Sequence, residues 1–249
     1  EGDDYWSDEN KLQIQVDYME SHPDFSGCFH KSLRKDVIQN KDISYKPSKE
    51  ELNNKTEFNI YDCIKGYFIE TVSVMYRWDI YKEELINCFP KKILNGDSYF
   101  INFFALHGKI GYIDKLMSVK SVGEQGVWNN NKVSIEQRDV KYAYEIVNFP
   151  IQINKLFQQY NPKLVNNESP KIVLRNVLNS AIDIKKYDTV KSLAEAFPEI
   201  LKNALDDSQI KNQLNKKIKK YKKLTEVFAL ISIILFISLI IILVLFLRG

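Results

Sequence analysis

Residues 1–25 read EGDDYWSDENKLQIQVDYMESHPDF, with three carboxylates in the first four positions, Glu1, Asp3 and Asp4, beside the aromatics Tyr5 and Trp6. Carboxylates one residue apart, held in a turn next to a strand, make an oxygen-rich site for a hard divalent cation such as Mg²⁺ or Mn²⁺. Such a cation neutralises the charge that builds on a departing diphosphate. Without that chemistry the same acids are a solvated turn that caps the helix after Ser7. From Ser7 to Ser21, Leu12, Val16 and Met19 recur at helical spacing and His22-Pro23 closes the segment, which predicts one amphipathic helix with those residues as its apolar stripe.

Beyond this stretch the pattern mixes strands and helices. Residues 24–31 (DFSGCFHK) alternate as a short strand, and 34–59 form a polar region in which YKPSKEEL and NN carry loop and turn chemistry. A short helix is predicted over 61–65, a buried strand over 71–77 (TVSVMYR) and a second helix over 79–88. After Asn95-Gly96, DSYFINFFALHG has Asp97 at its start, His107 in its last turn and Gly108 just beyond, the pattern of a capped helix. Residues 109–122 read as a strand, and 124–131 (EQGVWNNN) as a polar loop holding Trp128. From Ser134 the pattern is helical, with breaks at Asn161-Pro162 and near Ser169-Pro170. The expected organisation is an α/β portion over 1–130, a helical region over 131–224 and an apolar segment over 225–249.

Length and composition fit this division. A chain of 249 residues, 45% apolar and 12% aromatic, can bury a core as one large or two small domains. Residues 211–223 (KNQLNKKIKKYKK) hold seven lysines and no acid, so the formal charge of +3 conceals a mildly acidic body. No stretch interleaves aromatic and basic residues as a nucleic-acid surface requires, and no nucleic-acid partner is expected. The run 227–247 (VFALISIILFISLIIILVLFL) carries no charge. As a helix rising about 1.5 Å per residue it would reach roughly 30 Å, the thickness of a bilayer's hydrocarbon core. Lysines beside such a span favour a cytoplasmic location for that end. We therefore expect a single C-terminal anchor in the inner (cytoplasmic) membrane, with the body cytosolic.

Cys28, Cys63 and Cys88 are odd in number and lack CxxC spacing, which fits buried free thiols in a reducing compartment. Walker, G-x-G-x-x-G, H-E-x-x-H and paired Cys/His signatures are absent, and His22, His30 and His107 lack ligand spacing. Tyr5, Trp6 and Trp78 read as packing residues, with contact to a sugar as the alternative role.

The opening run resembles the metal-binding segment of bacterial family 2 glycosyltransferases, which have the GT-A fold. The shared features are the G-D-D-Y-W run, the K-L-x-x-Q-V helix and the P-D-aromatic step. Residues 66–77 (GYFIETVSVMYR) are similar to that family's acceptor-side strand. Residues 95–119 (NGDSYFINFFALHGKIGYIDKLMSV) resemble the segment with its catalytic base. The blocks fall in the family's order over most of 1–128.

This resemblance implies a partial GT-A domain with a mixed sheet, with nucleotide-holding strands ahead of Glu1. It also implies transfer of a sugar from a nucleotide-diphosphate donor to an acceptor hydroxyl, with inversion. The acceptor would be a lipid-linked glycan or another cell-envelope polysaccharide. Glu1 and Asp3 take the D-x-D positions, Asp3 and Asp4 are the metal and sugar-diphosphate contacts with Mg²⁺ or Mn²⁺, and Asp97 takes the position of the general base. Asp97 has a compatible second role as a helix cap. Lys120 would supply charge to the diphosphate and Glu124 an oxygen ligand. Trp128 would stack on a sugar face from a closing loop or anchor that loop. This chain departs from the pattern after MSV, where Lys120, Ser121, Val122 and Gly123 replace a Tyr-Arg-x-His run, so that Gly123 stands in the histidine's position. The alternative is a non-catalytic, tail-anchored interaction protein built on a degenerate transferase scaffold.

Overall fold

The computed structural model describes residues 3–66, 68–123 and 133–205. They cluster into two compact units: the first lies within Glu1–Lys91, Asn95–Lys132 and Lys155–Leu164, the second within Lys92–Leu94, Val133–Asn154 and Val165–Gly249.

The first unit contains, in chain order, β1 (Tyr5–Trp6), α1 (Lys11–Ser21), β2 (Phe25–Asp36), β3 (Lys41–Lys46), α2 (Lys49–Leu52), β4 (Glu57–Phe58), α3 (Ile60–Cys63), β5 (Met75–Tyr76), α4 (Trp78–Cys88), α5 (Gly96–His107) and β6 (Lys109–Val122). It is a mixed α/β unit. The sheet runs β1-β6-β2-β3, with β4 on β6 and β5 on β2. Its two long strands, β2 and β6, are parallel from Phe25↔Lys109 to Asp36↔Val122, and every other pairing is antiparallel. Between His30↔Ile113 and Lys31↔Leu116 the register slips, leaving Asp114 and Lys115 unpaired against β2. Extra residues on one strand bend it and sharpen its twist, so the sheet curls at this point.

Burial along β2 is continuous from Phe25 to His30. Phe25 and Cys28 pack on Met19 of α1, while Phe29 packs among Phe58, Phe68 and Tyr112, with ring centroids 5.2–5.9 Å away. Strands covered from both sides read as unbroken runs rather than as alternation. The helix α5 lies against the sheet through Phe104, which stacks on Tyr76 at 4.2 Å and whose carbonyl accepts from Ser26 Oγ at 2.6 Å.

Several expectations are corrected. The strand predicted over 24–31 extends to Asp36, and the polar region after it contains the β2–β3 hairpin and β4. Ladder hydrogen bonds come from the backbone and do not require apolar side chains. Instead of a strand over 71–77 there is one turn of 3₁₀ helix, Thr71–Ser73, followed by the two residues of β5. Leu12 and Val16 of α1 are exposed, and its buried stripe is Lys11, Gln15 and Met19. This polar stripe is stable because it is bonded: Lys11 Nζ donates to Gln15 Oε1 at 2.7 Å, and Gln15 Nε2 donates to the Ser73 carbonyl at 2.9 Å. Tyr5, Trp6 and Trp78 are about half exposed rather than packed in the core. Cys28 and Cys63 are buried free thiols, whereas Cys88 is only partly buried.

The second unit is helical, as the pattern predicts, with α6 (Ile135–Lys141), most of α7 (Ala143–Tyr160, of which Lys155 onward is assigned to the first unit), α8 (Glu168–Asp183), α9 (Tyr187–Ala196) and α10 (Pro198–Leu205). Its core gathers Val147, Leu174, Val177, Leu193, Phe197 and Leu201. Ser169-Pro170 is not a break but sits in the first turn of α8, where a missing N–H costs nothing. Among the described residues no helix is long and apolar enough to cross a membrane. The predicted anchor, 227–247, and the lysine-rich 211–223 lie outside the described residues.

Candidate functional site

The acidic motif is positioned by strand pairing. Tyr5 and Trp6 pair with Val119 and Ser118, and Ser7 N–H donates to the Met117 carbonyl at 3.0 Å. This lays Asp3 and Asp4 beside Lys120 and Ser121. The Asp4 carboxylate, only 4% exposed, accepts from Ser121 N–H at 2.9 Å and from Lys120 Nζ at 3.3 Å. Ser121 Oγ donates to the Asp3 carbonyl at 2.5 Å, and the Asp3 side chain is exposed. The two neighbouring acids therefore have different environments: Asp4 is bound to β6 and Asp3 faces solvent.

Mg²⁺ requires near-octahedral oxygen coordination. Asp3 offers an exposed carboxylate, while the Asp4 carboxylate is engaged by an ammonium and an amide, and Lys120 would set a like charge beside any metal held there. Among the described residues no group of three His, Cys, Asp or Glu side chains is arranged to hold a metal ion. The described donors do not on their own complete such a centre.

Asp97 lies in the first turn of α5, half-buried, its Oδ1 accepting from Ser98 N–H at 2.7 Å. The helix that carries it is fixed by Phe103 and Phe104 in the core and by Tyr99 Oη, which donates to the Cys88 carbonyl at 2.9 Å. Among the described residues Asp97 makes no hydrogen bond or ion pair with Asp3, Asp4 or Lys120. The structure thus brings Asp4 and Lys120 together, with no direct bond from either to Asp97 among the described residues. Glu1, Glu124 and Trp128 lie outside the described residues.

Sequence reasoning missed a buried polar set between α1 and the sheet. Lys11 is buried, with its ammonium 4.6 Å from the Trp6 ring centroid. His30 Nδ1 donates to the Lys31 carbonyl at 2.8 Å, while His30 Nε2 and Ser118 Oγ are buried with no hydrogen-bond partner among the described residues. Burial pushes the His30 imidazole down to about 4 and lowers the Lys11 ammonium as well. The four-residue spacing of Lys11 and Gln15 was the available signal. A second pair, His107 Nε2 and Glu84 Oε2 at 3.2 Å, fixes the end of α5 against α4, and His107 Nδ1 contacts the Phe103 carbonyl at 2.8 Å. This matches the helix-end role expected of His107. Hydrogen bonds from Tyr160 and His107 hold the Glu84 carboxyl below its usual range.

No family model matches the chain. Over 132 residues, 52% of its length, it is 30% identical to the uncharacterized protein Rv1520 of Mycobacterium tuberculosis, and equally to the uncharacterized protein Mb1547 of Mycobacterium bovis. The matched stretch covers 35% of each relative, so the chain spans about a third of the length of these curated relatives.

Proposed function

We propose that this chain is part of a membrane-associated glycosyltransferase of family 2 type, built on a GT-A sheet and acting on the cytosolic face of the inner membrane through the segment 227–247. The observation that supports the proposal is the pairing of Tyr5 and Trp6 with β6, which sets Asp3 and Asp4 beside Lys120 and Ser121, the residues that follow MSV. A mixed sheet with two parallel central strands is consistent with that fold.

In this reading the acceptor oxygen attacks the anomeric carbon, the bond from that carbon to the diphosphate oxygen breaks, and Asp97 takes the hydroxyl proton, inverting the centre. Asp3 faces the donor diphosphate, where Mg²⁺ or Mn²⁺ would neutralise charge together with Glu1. Asp4 holds the edge strand and keeps Lys120 oriented. Glu124 and Trp128 retain the parts the resemblance gives them, an oxygen ligand and a loop contact to sugar. The acceptor is a lipid-linked glycan or another envelope polysaccharide.

Titrating Mn²⁺ and a panel of nucleotide sugars into the whole protein of which this chain is proposed to be a part tests this directly. The expected result is metal-dependent nucleotide binding and slow donor hydrolysis, with turnover abolished in Asp97→Asn. If neither binding nor hydrolysis occurs, the non-catalytic scaffold is the better account.

A further inference from the structure

Tyr76 and Trp78 follow α5 toward its N-terminus. Tyr76 stacks on Phe104 with ring centroids 4.2 Å apart and planes 13° from parallel, and Trp78 lies 6.4 Å from Phe100 at 11°. Phe100 stands one helical turn before Phe104 and Asp97 one turn before Phe100, so these three share a face of α5. From Tyr76 to Trp78 the chain therefore moves from Phe104 to Phe100. The next side chain in that direction is the Asp97 carboxylate.

The stack is braced from behind. Met75 and Tyr76 pair with Cys28 and Gly27 of β2, and Arg77 N–H donates to the Ser26 carbonyl at 2.9 Å. The Arg77 guanidinium donates to the carbonyls of Phe25, Met19 and His22, and Phe89 packs edge-on against Phe100 at 5.2 Å. Trp78, at the first position of α4, is nevertheless 44% exposed, and its indole N–H has no hydrogen-bond partner among the described residues. Asp97 Oδ1 accepts from Ser98 N–H at 2.7 Å, while Oδ2 has no partner among the described residues.

A lone exposed tryptophan needs no explanation. A braced ring with a donor at its edge, and an acceptor oxygen one helical turn from the ring it stacks on, has the makings of a recognition unit. Its chemistry selects the ligand. The basic groups beside Trp78 are engaged, Arg77 by three carbonyls and Lys82 by Asp79 at 3.3 Å, so an anion finds no counter-charge there. A cation would suit the ring and the carboxylate but offers the indole N–H no acceptor. A pyranose satisfies all three: its C–H face covers the indole, and its hydroxyls both donate to a carboxylate and accept from an N–H. We propose that Trp78 is the platform of a sugar subsite, with a pyranose stacked on its open face and a hydroxyl of that sugar bonded to Asp97 Oδ2. That this sugar is the acceptor rests on the transferase reading; the binding of a sugar there does not.

The test uses the whole protein of which this chain is proposed to be a part, labelled with fluorotryptophan, the Trp78 fluorine resonance being assigned by its loss in Trp78→Phe. The probes are the methyl β-glycosides of glucose, galactose, mannose and N-acetylglucosamine, with choline as a cationic probe. Saturable movement of the Trp78 resonance with at least one glycoside is expected, weakened several-fold by Asp97→Asn. By saturation transfer from the protein to that glycoside, Trp78→Phe, which keeps a stacking face, is expected to bind more weakly and Trp78→Ala not at all. A Trp78 resonance that no glycoside moves, or that only choline moves, overturns the proposal, as does undiminished binding by Trp78→Ala. Donor hydrolysis transfers the sugar to water and needs no such platform, so it is read separately and is expected to survive Trp78→Ala. A responsive Trp78 in a protein that hydrolyses no donor removes the transferase reading alone, and a silent Trp78 in a protein that does hydrolyse donor removes the subsite alone.

Discussion

Asp4 and Lys120, 116 residues apart in the chain, form an ion pair at 3.3 Å with side chains only 4% and 14% exposed. The Ser121 N–H on the same carboxylate makes this a three-group lock between an edge strand and the end of β6. Removing the carboxylate leaves an ammonium and an amide without that acceptor in a place water scarcely reaches. Asp4→Ala is therefore expected to cost about 2–4 kcal/mol. Asp3→Ala, at an exposed carboxylate next door, is expected to stay within about 0.5 kcal/mol. Urea unfolding of the two variants checks the contrast, and equal stabilities would refute the structural part assigned to Asp4.

That lock also shows what local sequence can and cannot carry. The extents of α5 and β6 were legible because their signals are local: an apolar run, Asp97 at the start, and Gly108 after His107. The β2–β3 hairpin was not, since the paired stretch, Ser32–Asp36 with Lys41–Lys46, is mostly polar and its pairing rests on backbone bonds that no side-chain pattern records. The buried stripe of α1 escaped an apolar count because Lys11 and Gln15 are satisfied by Trp6 and the Ser73 carbonyl, groups that only the fold brings near. At the candidate site the residue types were readable, but the divergence of Asp3 from Asp4 was not. It depends on which of two neighbours just ahead of β1 turns its side chain to residues of β6 more than a hundred positions away.

His30 sets an expected acid sensitivity. Buried near Lys11 and Asp8, its imidazole is pushed down to about 4, whereas an unfolded histidine titrates near 6.5. Between those values the unfolded chain binds the proton and the folded one does not, so stability is fully present above about pH 6.5 and is lost as pH falls toward 4. From pH 7 to pH 5 this amounts to roughly 2 kcal/mol. His30→Gln is expected to flatten that limb in urea titrations at the two pH values. An unchanged slope would show that other groups dominate it.

The thiols are expected to be inert in the folded protein. Burial pushes Cys28 up to about 11 and Cys63 up to about 12, and it raises Cys88 less far. Nucleophilic exchange needs the thiolate. A disulfide reagent at neutral pH is expected to label Cys88 slowly, with Cys28 and Cys63 reacting only after denaturant is added. Fast labelling of Cys28 in buffer would contradict its packing under α1.

The corner between α5 and β6 gives the sharpest packing test. A Cβ built on Gly108 would stand 2.9 Å from both the Asp24 carbonyl oxygen and the Ser26 amide nitrogen, and 3.1 Å from the Ser26 Cβ. Backbone cannot rotate aside as a side chain can, so relief requires β2 and α5 to separate at the point where Ser26 Oγ holds the Phe104 carbonyl. Gly108→Ala is expected to cost about 1–3 kcal/mol by overpacking alone, because the extended backbone there suits any residue. Gly66→Ala, which meets nothing within 4 Å, is expected to be neutral or to stabilise by up to about 1 kcal/mol through the unfolded chain. The two variants share one chemical change and differ only in what surrounds the new methyl. A difference near zero between their unfolding free energies would mean that the close approach of helix, strand and corner is not what excludes a side chain at Gly108.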